Sequence, residues 1–252
     1  MTFDWFRKKQ PADSGSLRLY TVDFASFGEF DREALRQLIR KVACPGCLML
    51  EVGSWLGTGS TRVFIEELQA VGGSLYCIDT WKGNPNVARH QDIVRDYDVL
   101  ASFRQNVRKL DAEAFVHPFV ASSLEAARVM QDHTFDLVFL DGDHSYAATC
   151  EDISAWMPKV RHDGILCGHD CEARVTVGNV QRYTQARDQD YVSGEGTPFL
   201  INHPGVILAV DSFFKSSVHL WAEESLELEG GQKGPATIWD LCVGPDSSPG
   251  LR

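Results

Sequence analysis

The chain is 252 residues long, and its 44% hydrophobic and 23% charged residues exclude a disordered or fibrous protein. Against 35 Asp and Glu stand 24 Lys and Arg, a formal charge of −11, which excludes a surface built to coat nucleic acid or an anionic membrane. A chain of this size buries most of its surface without disulfide or metal staples, and one α/β domain can use all of it.

Residues 1–30 read as an irregular N-terminal arm containing Pro11, Gly15 and Gly28. The basic cluster Arg7-Lys8-Lys9 is followed by no apolar stretch, so it does not read as a secretory signal. No segment reaches the roughly 18–20 apolar residues of a membrane span. From Asp31 to Val42, Leu35, Leu38, Ile39 and Val42 recur at helical spacing, with Asp31 as the predicted N-cap. Cys44-Pro45-Gly46-Cys47 then reads as a turn at the helix end. A single C-x-x-C ahead of a strand lacks the four ligands of a structural zinc site and the strand-to-helix position of a redox pair. The 7 cysteines form an odd, unpatterned set, expected as reduced thiols in the cytoplasm.

Short apolar runs follow, alternating with amphipathic stretches. Leu48–Val52 is the first predicted strand, with a helix from about Ser60 to Val71. Ser74–Ile78 is the second and ends at Asp79; a long polar, amphipathic stretch follows over about 87–110, and about 84–110 is expected to be an inserted substrate loop. Phe115–Val120 is the third, followed by a short helix over Leu124–Met130. Phe135–Leu140 is the fourth, followed by a helix over Ser145–Val160, and Gly164–Gly168 is the fifth. Residues 172–203 show no clear period and are long for a connection, as expected of a substrate-closing loop. A helix over Gly205–Phe214 and strands over Val218–Ala222 and Thr237–Cys242 complete the pattern, and 244–252 reads as a loose tail. Alternating buried strands and helices predict a mostly parallel sheet covered on both faces, in a single domain over 31–243.

Ligands of doubly wound sheets bind outside the carboxyl ends of the strands. The first strand ends in Glu51-Val52-Gly53-Ser54-Trp55-Leu56-Gly57-Thr58-Gly59, the third in Ala121-Ser122-Ser123, the fourth in Asp141-Gly142-Asp143-His144 and the fifth in His169-Asp170. The glycine spacing is G-x-x-x-G-x-G rather than the G-x-G-x-x-G of a dinucleotide site, which disfavours a nicotinamide-dependent oxidoreductase. Taken alone, such glycines can be merely structural. Asp79, roughly 20 residues further on at the end of the second strand, is placed to take a ribose hydroxyl pair. Together the two features indicate a nucleoside-bearing cofactor.

Leu50–Thr61, Tyr76–Gly83, Phe135–Tyr146 and Gly164–Cys171 resemble the class I S-adenosylmethionine-dependent methyltransferases. The similarity is greatest to the small-molecule branch with macrocin O-methyltransferase-like and catechol O-methyltransferase-like enzymes. Phe-Asp-Leu-Val-Phe-Leu-Asp-Gly-Asp-His-Ser-Tyr is the most specific segment. The resemblance implies an α/β, Rossmann-like, doubly wound seven-stranded sheet of order 3-2-1-4-5-7-6, whose antiparallel last strand Thr237–Cys242 would supply. It also implies that Glu51, Gly53, Ser54 and Gly57 form the cofactor loop, with Glu51 and Gly53 beneath the methionine part. Asp79 would bind the ribose and Trp81 would pack near the adenosine. Ser122 and Ser123 would occupy the adenine edge, where many relatives carry Asp then Ser. Asp141 would lie near the sulfonium and, with His169 and Asp170, would match the metal site of the metal-dependent relatives. His169 departs from that pattern. An all-oxygen site suits Mg²⁺, while an imidazole favours Mn²⁺, Fe²⁺ or Zn²⁺. Alternatively His169 points away and leaves the metal to the two acids.

Methyl transfer is an in-line displacement at a sulfonium, and it needs an aligned, deprotonated nucleophile. A divalent cation, Mg or Mn, on Asp141 and Asp170 would lower the hydroxyl pKa, and Asp143 or His144 would take the proton. A metal-free version uses His144 as general base, and Asp143 reads equally well as a helix cap. His90, His117, His133, His162, His203 and His219 belong to no constellation and read as surface or packing residues. The expected cofactors are S-adenosylmethionine and a divalent metal. The expected partner is a small hydroxylated substrate of secondary metabolism, a sugar or phenol, with neither nucleic acid nor membrane; a homo-oligomer is left open. A non-catalytic protein that kept the cofactor fold is the contrasting reading.

Overall fold

The computed structural model describes residues 18–20, 27–85 and 87–244. Most of the arm over 1–30 and all but the first residue of the tail over 244–252 therefore lie outside the described residues.

Helix α1 (Glu29–Val42) buries Ala34, Leu35, Leu38 and Ile39, the stripe that its spacing predicts. It starts two residues before the expected cap. Gly28 occupies the N-cap, and Asp31 lies inside the first turn. Asp31 Oδ2 accepts the Gly28 N–H at 3.3 Å, while Oδ1 accepts the Thr237 N–H at 2.6 Å. The acid thus ties α1 to the chain ahead of the last strand. The Cys-Pro-Gly-Cys turn stands as read: Gly46 has φ 81°, the Cys47 N–H reaches the Cys44 carbonyl at 3.0 Å, and both thiols are free.

Five parallel strands follow, each made by one of the apolar runs. They are β1 (Cys47–Val52), β2 (Gly73–Asp79), β3 (Val116–Val120), β4 (Phe135–Leu140) and β5 (Val160–Gly168). Between them lie α2 (Ser60–Val71), α3 (Ala88–Asp96) and α4 (Val99–Lys109), then α5 (Ser123–Val129) and α6 (Tyr146–Trp156). β4 is buried along its whole length because β1 and β5 flank it. β5 begins earlier than the apolar run, since Val160 pairs with Phe135 across a bulge.

The 172–203 stretch is more regular than its sequence suggests. It forms α7 (Val180–Gln185) and a short hairpin of β6 (Val192–Ser193) with β7 (Ile201–Asn202). α8 (Pro204–Phe214) follows, then β8 (His219–Leu220), the pair β9 (Leu226–Glu227) and β10 (Lys233–Gly234), and β11 (Trp239–Cys242). The main sheet runs β3-β2-β1-β4-β5-β11-β8, with β11 antiparallel to both neighbours. Counting only its own strands, this is the expected order 3-2-1-4-5-7-6.

Alternate side chains of the buried strands feed two cores, one on each face. Met49 and Phe139 join Leu35, Leu38, Phe64 and Leu68 of α1 and α2. Leu50 and Val138 join Ile153, Trp156 and Val210 of α6 and α8. The register aligns Val52 with Ile78 and Leu140, Asp79 with Val120, and Leu140 with Gly168. The residues after each strand therefore emerge along one edge. Among the described residues no helix is long and apolar enough to cross a membrane.

Candidate active site

A cavity of about 380 Å³ opens along that edge, a size that suits a small-molecule cofactor. Val52, Gly53, Asp79, Ser122, Ser123, Asp141 and Asp143 line it, together with Trp55, His90 and Asp152. Gly53 is required for close approach. Its φ is 90°, and a Cβ there would run into the Asp141 carbonyl oxygen.

Asp79 holds the mouth of the cavity. Its Oδ2 accepts the Trp55 N–H at 2.8 Å and its Oδ1 the Trp81 N–H at 2.7 Å. Burial raises its pKa, although these N–H groups favour the ionised form. Each carboxylate oxygen keeps a lone pair for a further donor, which is what a ribose diol needs.

Glu51 has a different position from the expected one. It is fully buried beneath the loop and does not line the cavity. Its oxygens accept Ser60 Oγ at 2.5 Å and Thr61 Oγ1 at 2.6 Å, pinning the first turn of α2. Burial pushes its pKa up to about 7. Ser54 and Gly57 also lie behind the cavity wall, the Gly57 N–H closing a turn on the Ser54 carbonyl at 2.8 Å. Trp81 is buried against Phe103, with Nε1 donating to the Trp55 carbonyl at 2.7 Å. The aromatic group on the cavity is instead Trp55, stacked on His90 at 4.7 Å between ring centroids. His90, read from sequence as a packing residue, is thus part of the wall.

Ser122 caps α5 in a reciprocal box: its Oγ accepts the Glu125 N–H at 3.4 Å, and its own N–H donates to Glu125 Oε2 at 3.1 Å. Ser123 Oγ accepts Trp156 Nε1–H at 2.7 Å and donates to Asp152, whose pKa burial raises to about 7. Asp143 accepts the Ser145 N–H at 2.8 Å and Asn84 Nδ2–H at 3.0 Å, so it faces the cavity while bracing the start of α6.

Beside this cavity, past the ends of β4 and β5, lies a buried centre of acids and imidazoles. His169 Nδ1 stands 3.5 Å from Asp141 Oδ1 and 3.2 Å from Asp170 Oδ1. Burial opposes its charged form, but Asp170 and Asp141 outweigh that and raise its pKa well above the usual histidine value. His169 Nε2 has no hydrogen-bond partner and lies 3.6 Å from Asp31 Oδ2. His144 Nδ1 meets Asp190 Oδ1 at 2.8 Å, while Nε2 lies 3.2 Å from Asp170 Oδ2. Its pKa is raised in the same way, burial being overcome by Asp170, Asp141 and Asp190. Burial works against the ionised Asp170, but the three imidazoles hold its pKa far below the carboxylate range. Asp170 adopts φ 63°, a left-handed conformation that is uncommon outside glycine and concentrates at functional sites.

His203 belongs here too, contrary to the reading from sequence. Its Nδ1 is 2.5 Å from Glu172 Oε1 and 3.4 Å from Asp170 Oδ1. Ligand atoms of Asp141, His169 and Asp170 lie within 4.8 Å of one another, and so do those of His144, Asp170 and His203. Sequence reasoning missed Asp31, Glu172, Asp190 and His203. The readable signals were the His169-Asp170-Cys171-Glu172 run and the place of His203 directly before the proline that opens α8.

Comparison with known proteins agrees with this architecture. Residues 50–171 match the family model described as a methyltransferase domain. An uncharacterized protein, y4gI, of Sinorhizobium fredii is 27% identical over 99 residues, or 39% of this chain. The chain spans about a tenth of the length of that curated relative. A structure from Klebsiella pneumoniae assigned as an O-methyltransferase superposes with a TM-score of 0.54 at 16% identity, covering 87% of this chain and 82% of that one. An O-methyltransferase from Bacillus cereus in complex with SAH gives 0.50 at 14% identity, covering 86% and 82%. At such identities the structures speak for the fold, while the matched segment carries the strand-end residues. Residues 50–171 form a class I S-adenosylmethionine-dependent methyltransferase domain.

Proposed function

We propose that the whole chain transfers the methyl group of S-adenosylmethionine to an oxygen of a small hydroxylated metabolite, a sugar or a phenol, with a divalent cation held by Asp141, His169 and Asp170. One observation carries this reading. Asp141 lines the cofactor cavity and also stands at the edge of the acid–imidazole centre, so donor and activated acceptor would meet beside it. The donor set suits a cation: one imidazole nitrogen and two carboxylates converge, and the other nitrogen of that ring faces Asp31 at 3.6 Å. When bound, such an ion would supply Lewis-acid polarisation of the substrate hydroxyl.

The chain's own residues would do the rest. Asp79 takes the ribose hydroxyls and Gly53 lets the cofactor approach the backbone. Asp143, on the cavity wall, would accept the hydroxyl proton. His144 is less suited to that task, because Asp170, Asp141 and Asp190 favour its protonated form, which cannot accept a proton. This argues against the metal-free version with His144 as base.

Calorimetry with S-adenosylhomocysteine and with NAD is the first test, and binding of the former alone is expected. Methyl transfer to a panel of phenols and sugars, followed by release of S-adenosylhomocysteine, is the second. No binding of either S-adenosylmethionine or its demethylated product would end this reading.

A further inference from the structure

We propose that His144, Asp170 and His203 form a second cation position for a first-row transition metal, sharing Asp170 with the first. The inference builds on the proposed position at Asp141, His169 and Asp170, and extends it by residues outside that set.

The spacing supports it. Atoms that share one such ion at about 2.1 Å stand about 3.0–3.5 Å apart. His144 Nε2 and Asp170 Oδ2 are 3.2 Å apart, yet they are not aligned as a hydrogen bond; the ring's aligned bond is made by Nδ1 to Asp190. Two polar atoms that approach without pointing at each other are arranged for a common third point. Asp170 turns its other oxygen, Oδ1, toward His169 at 3.2 Å, and a ring nitrogen of His203 lies within 4.8 Å of the His144 and Asp170 ligand atoms. One carboxylate therefore faces both positions, as a bridging ligand does.

The outer groups support it as well. Imidazoles that bind metals almost always have their other nitrogen held by a carboxylate or carbonyl, which fixes the ring and its tautomer. His144 Nδ1 is held by Asp190 at 2.8 Å. His203 is clamped by Glu172 at two points, the backbone N–H at 3.0 Å and Nδ1 at 2.5 Å. Glu172 is only 3% exposed, and burying a carboxylate there is costly unless the orientation it imposes on the ring is used. The two rings meet edge to face with centroids 4.8 Å apart. A protonated His144 could also stand 3.2 Å from Asp170 as a plain ion pair, and the count of bound metal separates the two arrangements. Two imidazoles and one carboxylate favour Zn²⁺, Fe²⁺ or Mn²⁺ over Mg²⁺.

The test counts metal on the full chain. Chelator-stripped protein is dialysed against Zn²⁺ or Co²⁺, and bound metal is measured by mass spectrometry. The Co²⁺ form is also read by its visible absorption. Wild-type protein is expected to hold two equivalents, His144→Gln and His203→Gln one each, and Asp141→Asn one. Asp190→Asn and Glu172→Gln leave every proposed ligand in place and are expected to weaken one equivalent by about 10–100-fold. Circular dichroism checks that each variant is folded, and the wild-type count stands without any variant. One equivalent in the wild type, lost in Asp141→Asn but kept in His144→Gln and His203→Gln, would overturn the second position and leave the first. No bound metal would overturn both, while S-adenosylhomocysteine binding, measured separately, decides the methyltransferase reading.

Discussion

Two tryptophans show how much one carboxylate does here. Trp55 and Trp81 have φ of 45° and 51°, a region where bulky side chains are rare. Both give their backbone N–H to Asp79, so the acid compensates two strained turns and still offers a lone pair on each oxygen. Asp79→Asn replaces one acceptor with a donor that must face an N–H. The expected result is a 10–100-fold weaker S-adenosylhomocysteine complex by calorimetry, from a ribose hydroxyl left without its acceptor at a cost of about 1–3 kcal/mol. Unchanged affinity would remove Asp79 from the ribose site. Glu51 makes a prediction about stability rather than binding. Its carboxyl is pushed up to about 7 by burial, so the folded state prefers it protonated. Its contribution is fully present below the unfolded value near 4.5 and is lost as the pH rises to about 7. Glu51→Gln should flatten that part of the stability–pH curve, by on the order of 3 kcal/mol across the window, as read by urea unfolding at a series of pH values. An equal slope in both proteins would mean that Glu51 ionises freely in the fold.

The helices that frame the cavity are set by their first turns. α5 starts from Ser122 and Glu125, whose mutual bonds take both donors of Ser122, its hydroxyl and its backbone N–H. Ser122 therefore has no donor left for an adenine edge. Ser122→Ala should lower stability by about 1 kcal/mol in thermal unfolding while leaving S-adenosylhomocysteine affinity within about twofold. A large loss of affinity would return the hydroxyl to the cofactor site. Such local signals explain what could be read from sequence. β4 matches its apolar run residue for residue, and α5 begins within one residue of its predicted start. Less legible were the stretches whose order comes from distant partners. Asp98 caps α4 by accepting the Ala101 N–H at 2.9 Å, but the polar residues around it hid the break between α3 and α4. The hairpin of β6 and β7 is anchored by Asn202 donating to the buried Tyr183 hydroxyl at 2.6 Å, a contact that no period reveals.

The same divide holds for the whole molecule. Residues at strand ends were legible because a doubly wound sheet gathers them along one edge: Asp79, Asp141, Asp143, His144, His169 and Asp170. The groups that hold the imidazoles come from elsewhere in the chain, Asp31 from α1 and Glu172, Asp190 and His203 from the segment after β5, and only the fold brings them to Asp170. Because one centre joins these remote segments, an ion bound there would stabilise the folded state over an unfolded chain in which the ligands are scattered. At a hundredfold excess over its dissociation constant, a ligand of the native state adds about 2.7 kcal/mol. For a domain of this size that is a rise of about 5–10 °C in Tm. Calorimetric scans with Mn²⁺ should show such a rise, reversed by EDTA and weakened in Asp170→Asn, which touches both triads. S-adenosylhomocysteine should add its own increment through Asp79, and a departure from additivity would report coupling through Asp141, which lines the cavity and reaches His169. A Tm indifferent to Mn²⁺ would mean that protonated imidazoles alone balance Asp141 and Asp170, and the hydroxyl would then have to be activated by Asp143 without a cation.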